Sequence, residues 1–366
     1  MKVVLVTGSG GPLGVNFCRS LMHGGGQNNY RLIGTDANRW HLPLSLCSET
    51  YFIPMAKERG AYREALSAII KKEKVDVLVP THPVEVRAVA ELKKQAHLQG
   101  VSTLLPDLDV LDTTDSKEKT HAALKDAGIP VPETIGLQSK VDITKAFDRF
   151  SPHGPVWVRG SGAPGLGIGG AALPCRDVKV AEAWVEHYQG WGYMSASRYL
   201  PGRNLTWMAL YSKGELIASA ARERLEYVLP HVSPSGITGA PAVSRTIWED
   251  DVKEFGYASV RAVDEKPNGV YFVDMKCDEN DRPMVTEING GRCGTTIHFY
   301  TEAGYNFPKS MVELALGESV PKISKNESAV RPGQYWVRTL DCGPVLLEDE
   351  KGFDNYPTSP SALTQK

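Results

Sequence analysis

Two short runs of β-branched, aromatic and aliphatic residues, Tyr271–Asp274 and Met284–Asn289, flank the polar stretch Asp278–Pro283. Together they constrain this chain more than any other feature. Side chains two apart on a strand share a face, so Glu287 and Asn289 point the same way. If the runs pair as a hairpin around the polar stretch, Asp274 comes alongside them. Two carboxylates and an amide oxygen make a hard, all-oxygen set that suits Mg²⁺ shared with substrate phosphates. One Asp and one Glu on a hairpin otherwise read as ordinary surface acids. Gly290, Gly291 and Arg292, which follow directly, favour the site because they add close backbone approach and an anion-binding fork.

Ahead of that hairpin, residues 1 to about 108 alternate strand and helix signals. Strands are predicted at Val3–Val6, Arg31–Gly34, Val75–Val79 and Ser102–Leu105, with helices starting at Leu13, Tyr62 and Val84. This rhythm implies an open parallel sheet with helices on both faces. After Asp115 the texture changes. A helix of about ten residues opens at Ser116 and stops at Gly128-Ile-Pro-Val-Pro132, where glycine supplies the cap and proline bars continuation. Further strands are predicted at Val156–Val158, Met194–Tyr199, Thr206–Tyr211, Glu215–Ala218 and Tyr335–Leu340, before a polar, Pro/Ser-rich end expected to fray.

Composition narrows the class. At 366 residues the chain has material for two or three domains. A net charge of −2 gives no electrostatic reason to expect nucleic acid or an anionic membrane. No apolar run approaches the roughly 18 residues of a spanning helix, and the first residues read as a buried strand rather than a signal peptide. The 6 cysteines are scattered without a Cys-x-x-Cys pair, and the 9 histidines show no ligand spacing. Free thiols in a reducing compartment, and a cytoplasmic protein, are the expectation.

Two glycine motifs compete for a nucleotide. Thr7-Gly-Ser-Gly-Gly-Pro-Leu-Gly14, with Asp36 ending the next strand, matches the Thr-Gly-x-x-Gly-x-x-Gly turn of short-chain dehydrogenases. The Tyr-x-x-x-Lys that such chemistry needs occurs only as Tyr305-Asn-Phe-Pro-Lys309, too far along and broken by a proline. The motif is therefore expected merely to close a Rossmann-type unit. The second, from Val158-Arg159 through Ser161, Gly162, Gly165 and Gly167 to Gly170, leaves a Val-Trp-Val strand with six glycines in eleven residues. Bare amides there can wrap phosphate oxygens, with Arg159 as a fixed positive fork at the base. Lys117, at an exposed helix start, would alone read as solvated surface. Arg198-Tyr199-Leu200-Pro-Gly202 is a strand leaving by a turn, whose backbone could meet an adenine ring.

In this order the pieces resemble the ATP-grasp superfamily, whose relatives include carbamoyl-phosphate synthase large-subunit halves and carboxylate–amine ligases. The likeness covers nearly the whole chain, and its specific part is Asp, twelve residues, then Glu-x-Asn. It implies an α/β fold in which a Rossmann-like pre-ATP-grasp domain (1–108) precedes an ATP-grasp domain (109–325) of two α+β subdomains clamping the nucleotide. The lid subdomain would span about 120–196, and 326–366 would be a strand and tail. It also implies ATP and Mg²⁺ (Mn²⁺ being admissible at the same oxygens), with Asp274, Glu287 and Asn289 on the metal. Lys117 and Arg159 would contact phosphates, Ser161 to Gly170 would form the lid, and Arg198, Tyr199 and Leu200 the adenine hinge. Arg198 and Asn204 replace the usual hinge glutamates, and Glu-Ile-Asn-Gly-Gly-Arg is one residue longer than the usual Glu-Ile-Asn-Pro-Arg, which puts the reach of Arg292 in question. The implied reaction activates a small carboxylate as an acyl phosphate and joins it to an amine, with Arg292 and Arg222 as catalytic anion contacts and His82 near the substrate. Neither nucleic acid nor membrane is expected as a partner; dimers are common among such ligases. A carbamoyl-phosphate-type synthase, a short-chain-type oxidoreductase and a non-catalytic nucleotide-binding regulator remain as alternatives.

Overall fold

The structure, a computed structural model, describes residues 1–95, 97–160, 171–230, 234–236 and 239–339. Three sheets organise them. The first is parallel, in the order β3-β2-β1-β4, from β1 (Lys2–Thr7), β2 (Tyr30–Asp36), β3 (Glu49–Phe52) and β4 (Val77–Val79). Its central strand is apolar and buried from Val4 to Val6, as expected of a strand covered on both faces. The covering helices are α1 (Pro12–Met22), α2 (Arg59–Glu73) and α3 (Pro83–Lys94). The strand predicted at Ser102–Leu105 is reduced to a single parallel bridge from Ser102 to Val77. A proline-containing segment follows at once, and a short helix α4 (Leu108–Thr114) leads away.

Helix α5 (Lys117–Asp126) starts where the sequence placed it. Ser116 Oγ caps the Lys119 amide, and Gly128 takes a left-handed φ of 72° beyond its end. The second sheet, antiparallel in the order β5-β8-β6-β7, comprises β5 (Thr134–Leu137), β6 (Val156–Gly160), β7 (Ala172–Cys175) and β8 (Met194–Arg198). Helices α6 (Lys140–Phe150) and α7 (Val178–His187) pack on it around Phe147, Phe150 and Val185.

The third sheet has six strands, in the order β13-β12-β9-β10-β11-β14. They are β9 (Asn204–Ser212), β10 (Glu215–Tyr227), β11 (Pro241–Ile247), β12 (Gly269–Cys277), β13 (Pro283–Gly290) and β14 (Tyr335–Val337). Helix α8 (Asp250–Val263) covers one face over the fully buried Trp207. Helices α9 (Ile297–Glu302) and α10 (Phe307–Ala315) fill the space between the other face and α1, sharing one apolar core with β1 and β9. β10 runs well beyond the predicted Ala218, through Arg222-Glu-Arg224, and β14 ends before Leu340, which lies outside the described residues. No described helix is long and apolar enough to cross a membrane.

Candidate active site

The hairpin forms in the register that makes a site. β12 and β13 pair antiparallel with Asp274 opposite Glu287, and Asn289 lies two further along β13. A bulge falls immediately after this pair: Met275 faces Val285, so Thr286 is the extra residue and its hydroxyl donates to the Asp274 carbonyl at 3.0 Å. Bulges re-aim the side chains beside them. Here the bulge lets both acids face the cavity while Val285 stays in the core.

Each member of the triad is held by cations. Glu287 Oε2 lies 3.0 Å from the Arg159 guanidinium and 3.5 Å from Lys117 Nζ. Its Oε1 accepts from Asn289 Nδ2 at 2.9 Å, and Asn289 Oδ1 accepts from Arg292 at 2.7 Å. Burial alone would raise the Glu287 carboxyl; the Lys117 and Arg159 charges, the Asn289 amide and Arg292 outweigh it and hold it at about 2. Asp274 Oδ1 accepts from Thr206 Oγ1 at 2.9 Å and from Arg224. Arg292 returns to the triad because Gly291 adopts φ 80° and its amide bonds the Val270 carbonyl at 2.8 Å. A Cβ there would meet Val86 at 2.7 Å, so the extra residue of Gly-Gly-Arg is absorbed in a turn only glycine can make.

Asp274, Glu287, Asn289 and Arg292 line one cavity of about 810 Å³, a size that takes a nucleotide-scale ligand. Arg159, Arg198, Tyr199, Leu200, Arg222, Arg224, Lys276 and Arg292 all contribute to its wall, with Asp274 and Glu287 as its acids. Positive charge in such excess favours a polyanion. Arg222 is 4% exposed; one guanidinium nitrogen donates to Thr296 Oγ1, and its Nε has no partner among the described residues. Burial lowers its pKa, with the Arg224 charge adding to the effect. Arg198 pairs with Glu279 at the cavity edge, and the Tyr199 ring lies 6.1 Å from that of Trp157. His82 sits at the carboxyl end of the parallel sheet as the N-cap of α3, its Nδ1 accepting from the Val84 amide at 3.4 Å. Burial, and then the nearby Arg292 charge, lower its pKa. Ser161, Gly162, Gly165 and Gly167 lie outside the described residues.

Two residues escaped the sequence reading. Arg224 was passed over for Arg222, although residues two apart on a strand share a face; the Arg-x-Arg alternation was the available signal. Lys276, two after Asp274, donates to the Gly202 carbonyl and so ties the hairpin to the Pro-Gly turn.

The amino-terminal glycine turn offers no such opening. The Ser9 amide bonds Thr35, the Gly10 amide bonds Asp36 at 3.2 Å, and the Gly11 amide bonds Gly8. A Cβ on Gly10 would lie 1.9 Å from the His41 carbonyl oxygen, so the protein's own chain covers the loop. Asp36 also accepts from the Asn38 amide at 2.9 Å.

Comparison with known proteins agrees with this architecture. No family model matches the chain. It is 21% identical over 341 residues to the carbamoyl phosphate synthase large chain of Helicobacter pylori strain J99, covering 88% of this chain and 29% of that protein. The chain thus spans less than a third of that relative's length. A biotin carboxylase–β,γ-ATP complex from Campylobacter jejuni superposes with a TM-score of 0.65 at 16% identity, covering 91% of this chain and 74% of the other. Carboxyaminoimidazole ribonucleotide synthase from Aspergillus clavatus, complexed with ATP, gives 0.64 at 17% identity, with 91% and 80% covered. L-amino acid ligase from Bacillus licheniformis gives 0.63 at 14% identity, with 92% and 78% covered. The chain has the ATP-grasp fold of these proteins.

Proposed function

We propose that this chain is an ATP-dependent ligase that activates a small carboxylate as an acyl phosphate and joins it to an amine, releasing ADP and phosphate. The observation that carries the reading is the convergence of Asp274, Glu287 and Asn289 with Arg159 and Arg292 on one cationic cavity, with Lys117 paired to Glu287 behind its wall. The oxygen donors of the triad, on one face of a bulged hairpin, fit Mg²⁺. The metal would neutralise charge on the β- and γ-phosphates.

The protein's own groups do the rest by position and charge. Lys117 and Arg159, which balance Glu287 in the free chain, contact the phosphates. The backbone after Arg198, at Tyr199 and Leu200, receives the adenine ring. Arg222, with its unpartnered Nε, and Arg292 hold the substrate carboxylate and the transferred phosphoryl group. A carboxylate oxygen attacks the γ-phosphorus as the bond to ADP breaks; the amine then adds to the acyl carbon and phosphate leaves. Residues 1–108 form the pre-ATP-grasp domain and 109–325 the catalytic domain.

The test is ADP and phosphate release by full-length protein with Mg²⁺ and pools of carboxylates and amines, wild type against Glu287→Ala. Substrate-stimulated ADP release that disappears in the variant supports the reading. AMP and pyrophosphate as products would sink it. A second reading, activation of bicarbonate, draws on the carbamoyl phosphate synthase likeness. ADP release that responds to bicarbonate rather than to organic carboxylates would favour it.

A further inference from the structure

Outside the ligase cavity, the seam between α1 and α9 brings together three side chains with no part in the proposed reaction. His23 caps the carboxyl end of α1, and its Nδ1 lies 3.4 Å from Glu302 Oε1. His298 and Glu302 are four apart on α9 and so share one helix face. His298 Nε2 lies 2.9 Å from the same Glu302 oxygen. One ligand atom from each of the three residues falls within 4.8 Å of the others. A tetrahedral ion with bonds near 2.1 Å spaces its ligands about 3.4 Å apart, so modest side-chain rotation suffices to enclose one.

The hydrogen bonds around His298 decide which ring nitrogen is available. Ser20 Oγ has a single proton, and it is directed to the Asn16 carbonyl at 3.0 Å. His298 Nδ1 lies 3.2 Å from Ser20 Oγ and, with the Ser20 proton on the Asn16 carbonyl, donates to it in the Nδ1–H tautomer. Thr301 Oγ1 donates to Ser20 Oγ as well, at 2.9 Å, which completes its shell. Nε2 is left with its lone pair aimed at a carboxylate oxygen 2.9 Å away. In that tautomer the two lone pairs face each other at a distance that either a ring proton or a metal ion between them would bridge. Metal-ligating histidines are held in the same way, by an oxygen acceptor on the other ring nitrogen, most often a carboxylate, a backbone carbonyl or water.

We propose that His23 Nδ1, His298 Nε2 and the Glu302 carboxylate form a site for a borderline divalent transition metal, Zn²⁺ by the chemistry of its donors. Two imidazoles and one carboxylate suit Zn²⁺ and its neighbours rather than Mg²⁺ or Ca²⁺. The side chains of His23 and Glu302 are 45% and 50% exposed, so the ion can enter from solvent and keep a fourth position for water. The site has a structural consequence. α1 follows the Gly8–Gly11 turn, and α9 follows the segment that carries Arg292. Asn16 Nδ2 already donates across this seam to the Thr295 carbonyl at 2.8 Å. A bound ion would clamp the parallel sheet's first helix to the segment beyond the triad.

The experiment is a Co²⁺ titration of the full-length protein in excess Mg²⁺, which saturates the Asp274–Glu287–Asn289 oxygens. Visible d–d absorption is read first, followed by displacement with Zn²⁺ and the thermal midpoint with and without Zn²⁺. The expected result is a band of four-coordinate intensity that Zn²⁺ removes, with the midpoint raised by Zn²⁺. Glu287→Ala should retain the band. His23→Ala and Glu302→Gln alter half-exposed side chains, and circular dichroism checks that both fold. Each should weaken binding by more than the roughly 10–100-fold that loss of an outer-shell partner costs, and abolish the midpoint shift. Absence of the band, or its persistence in both variants, overturns the site in favour of a second ring proton on His298. Loss of the band in Glu287→Ala, or strong near-ultraviolet thiolate charge transfer pointing to Cys18 and Cys47, whose sulfurs lie 3.7 Å apart, overturns it in favour of another site.

Discussion

Asp36 and Asp274 each stand where a sequence motif assigns an acid to a nucleotide, and the molecule uses them in opposite ways. Asp36 accepts from the backbone amides of Gly10 and Asn38, under a loop sealed by the His41 carbonyl. Among the described residues the Asp274 carboxylate is held by side chains, Thr206 and Arg224, and faces a cavity. Backbone partners are fixed by the fold, so their acid is already committed; side-chain partners can swing away for a ligand. The comparison teaches that spacing alone does not identify a binding acid. What identifies it is whether its hydrogen bonds can be exchanged.

Four substitutions break or sharpen this contrast. Arg224→Ala frees Asp274 from its guanidinium and removes a cation from the cavity wall, and should lower substrate-stimulated ADP release on the order of 10²–10³-fold. Steady-state turnover checks it, with little change expected in the folded fraction. Gly10→Ala acts on the other region and in the other currency. Its Cβ would overlap the His41 carbonyl, an unyielding backbone atom, and should cost about 3 kcal/mol in urea unfolding, with turnover per folded molecule preserved.

Glu85 gives a pH test of the same closed region. Buried beneath the turn, it accepts from Thr7 Oγ1 at 2.8 Å and from Tyr62 at 3.3 Å, and burial raises its carboxyl to about 7. From the unfolded value of 4.5 up through about 7, the folded chain keeps a proton that the unfolded chain has lost. Stability from this group is therefore full below that window and is lost as pH rises through it. Glu85→Gln should flatten the slope and be the more stable protein at pH 8, by on the order of 2–3 kcal/mol. Unfolding midpoints across the window measure it. Smallest of all, Asp36→Asn keeps one amide oxygen for two backbone donors and should cost about 1 kcal/mol, with ADP release unchanged.

The fold and the site were not equally legible from sequence. The βαβ rhythm, the Ser116–Gly128 helix and the hairpin register follow from local patterns, because apolar periodicity, a hydroxyl cap and a positive-φ glycine act over a few residues. β3 and β11 went unseen because Glu-Thr-Tyr-Phe and Pro-Ala-Val-Ser-Arg-Thr-Ile mix polar and apolar residues without a decisive period. The second half of β10 was hidden for a reason tied to the site. Arg222, Glu223 and Arg224 break its apolar run, two of them because that stretch forms a cavity wall. Residues expected at the site from sequence, Lys117 among them, meet there through pairings more than a hundred residues apart, as Lys117 and Arg159 do at Glu287. No local pattern encodes such distances; the resemblance supplied them.

The most direct test of the central claim is paired calorimetric binding of Mg-ATP and NADPH to wild type, Glu287→Ala and Asp36→Asn. The account predicts that Mg-ATP binds wild type and Asp36→Asn alike, that binding is lost in Glu287→Ala, and that NADPH binds none of them. NADPH binding that vanishes in Asp36→Asn, with Mg-ATP inert, would contradict it.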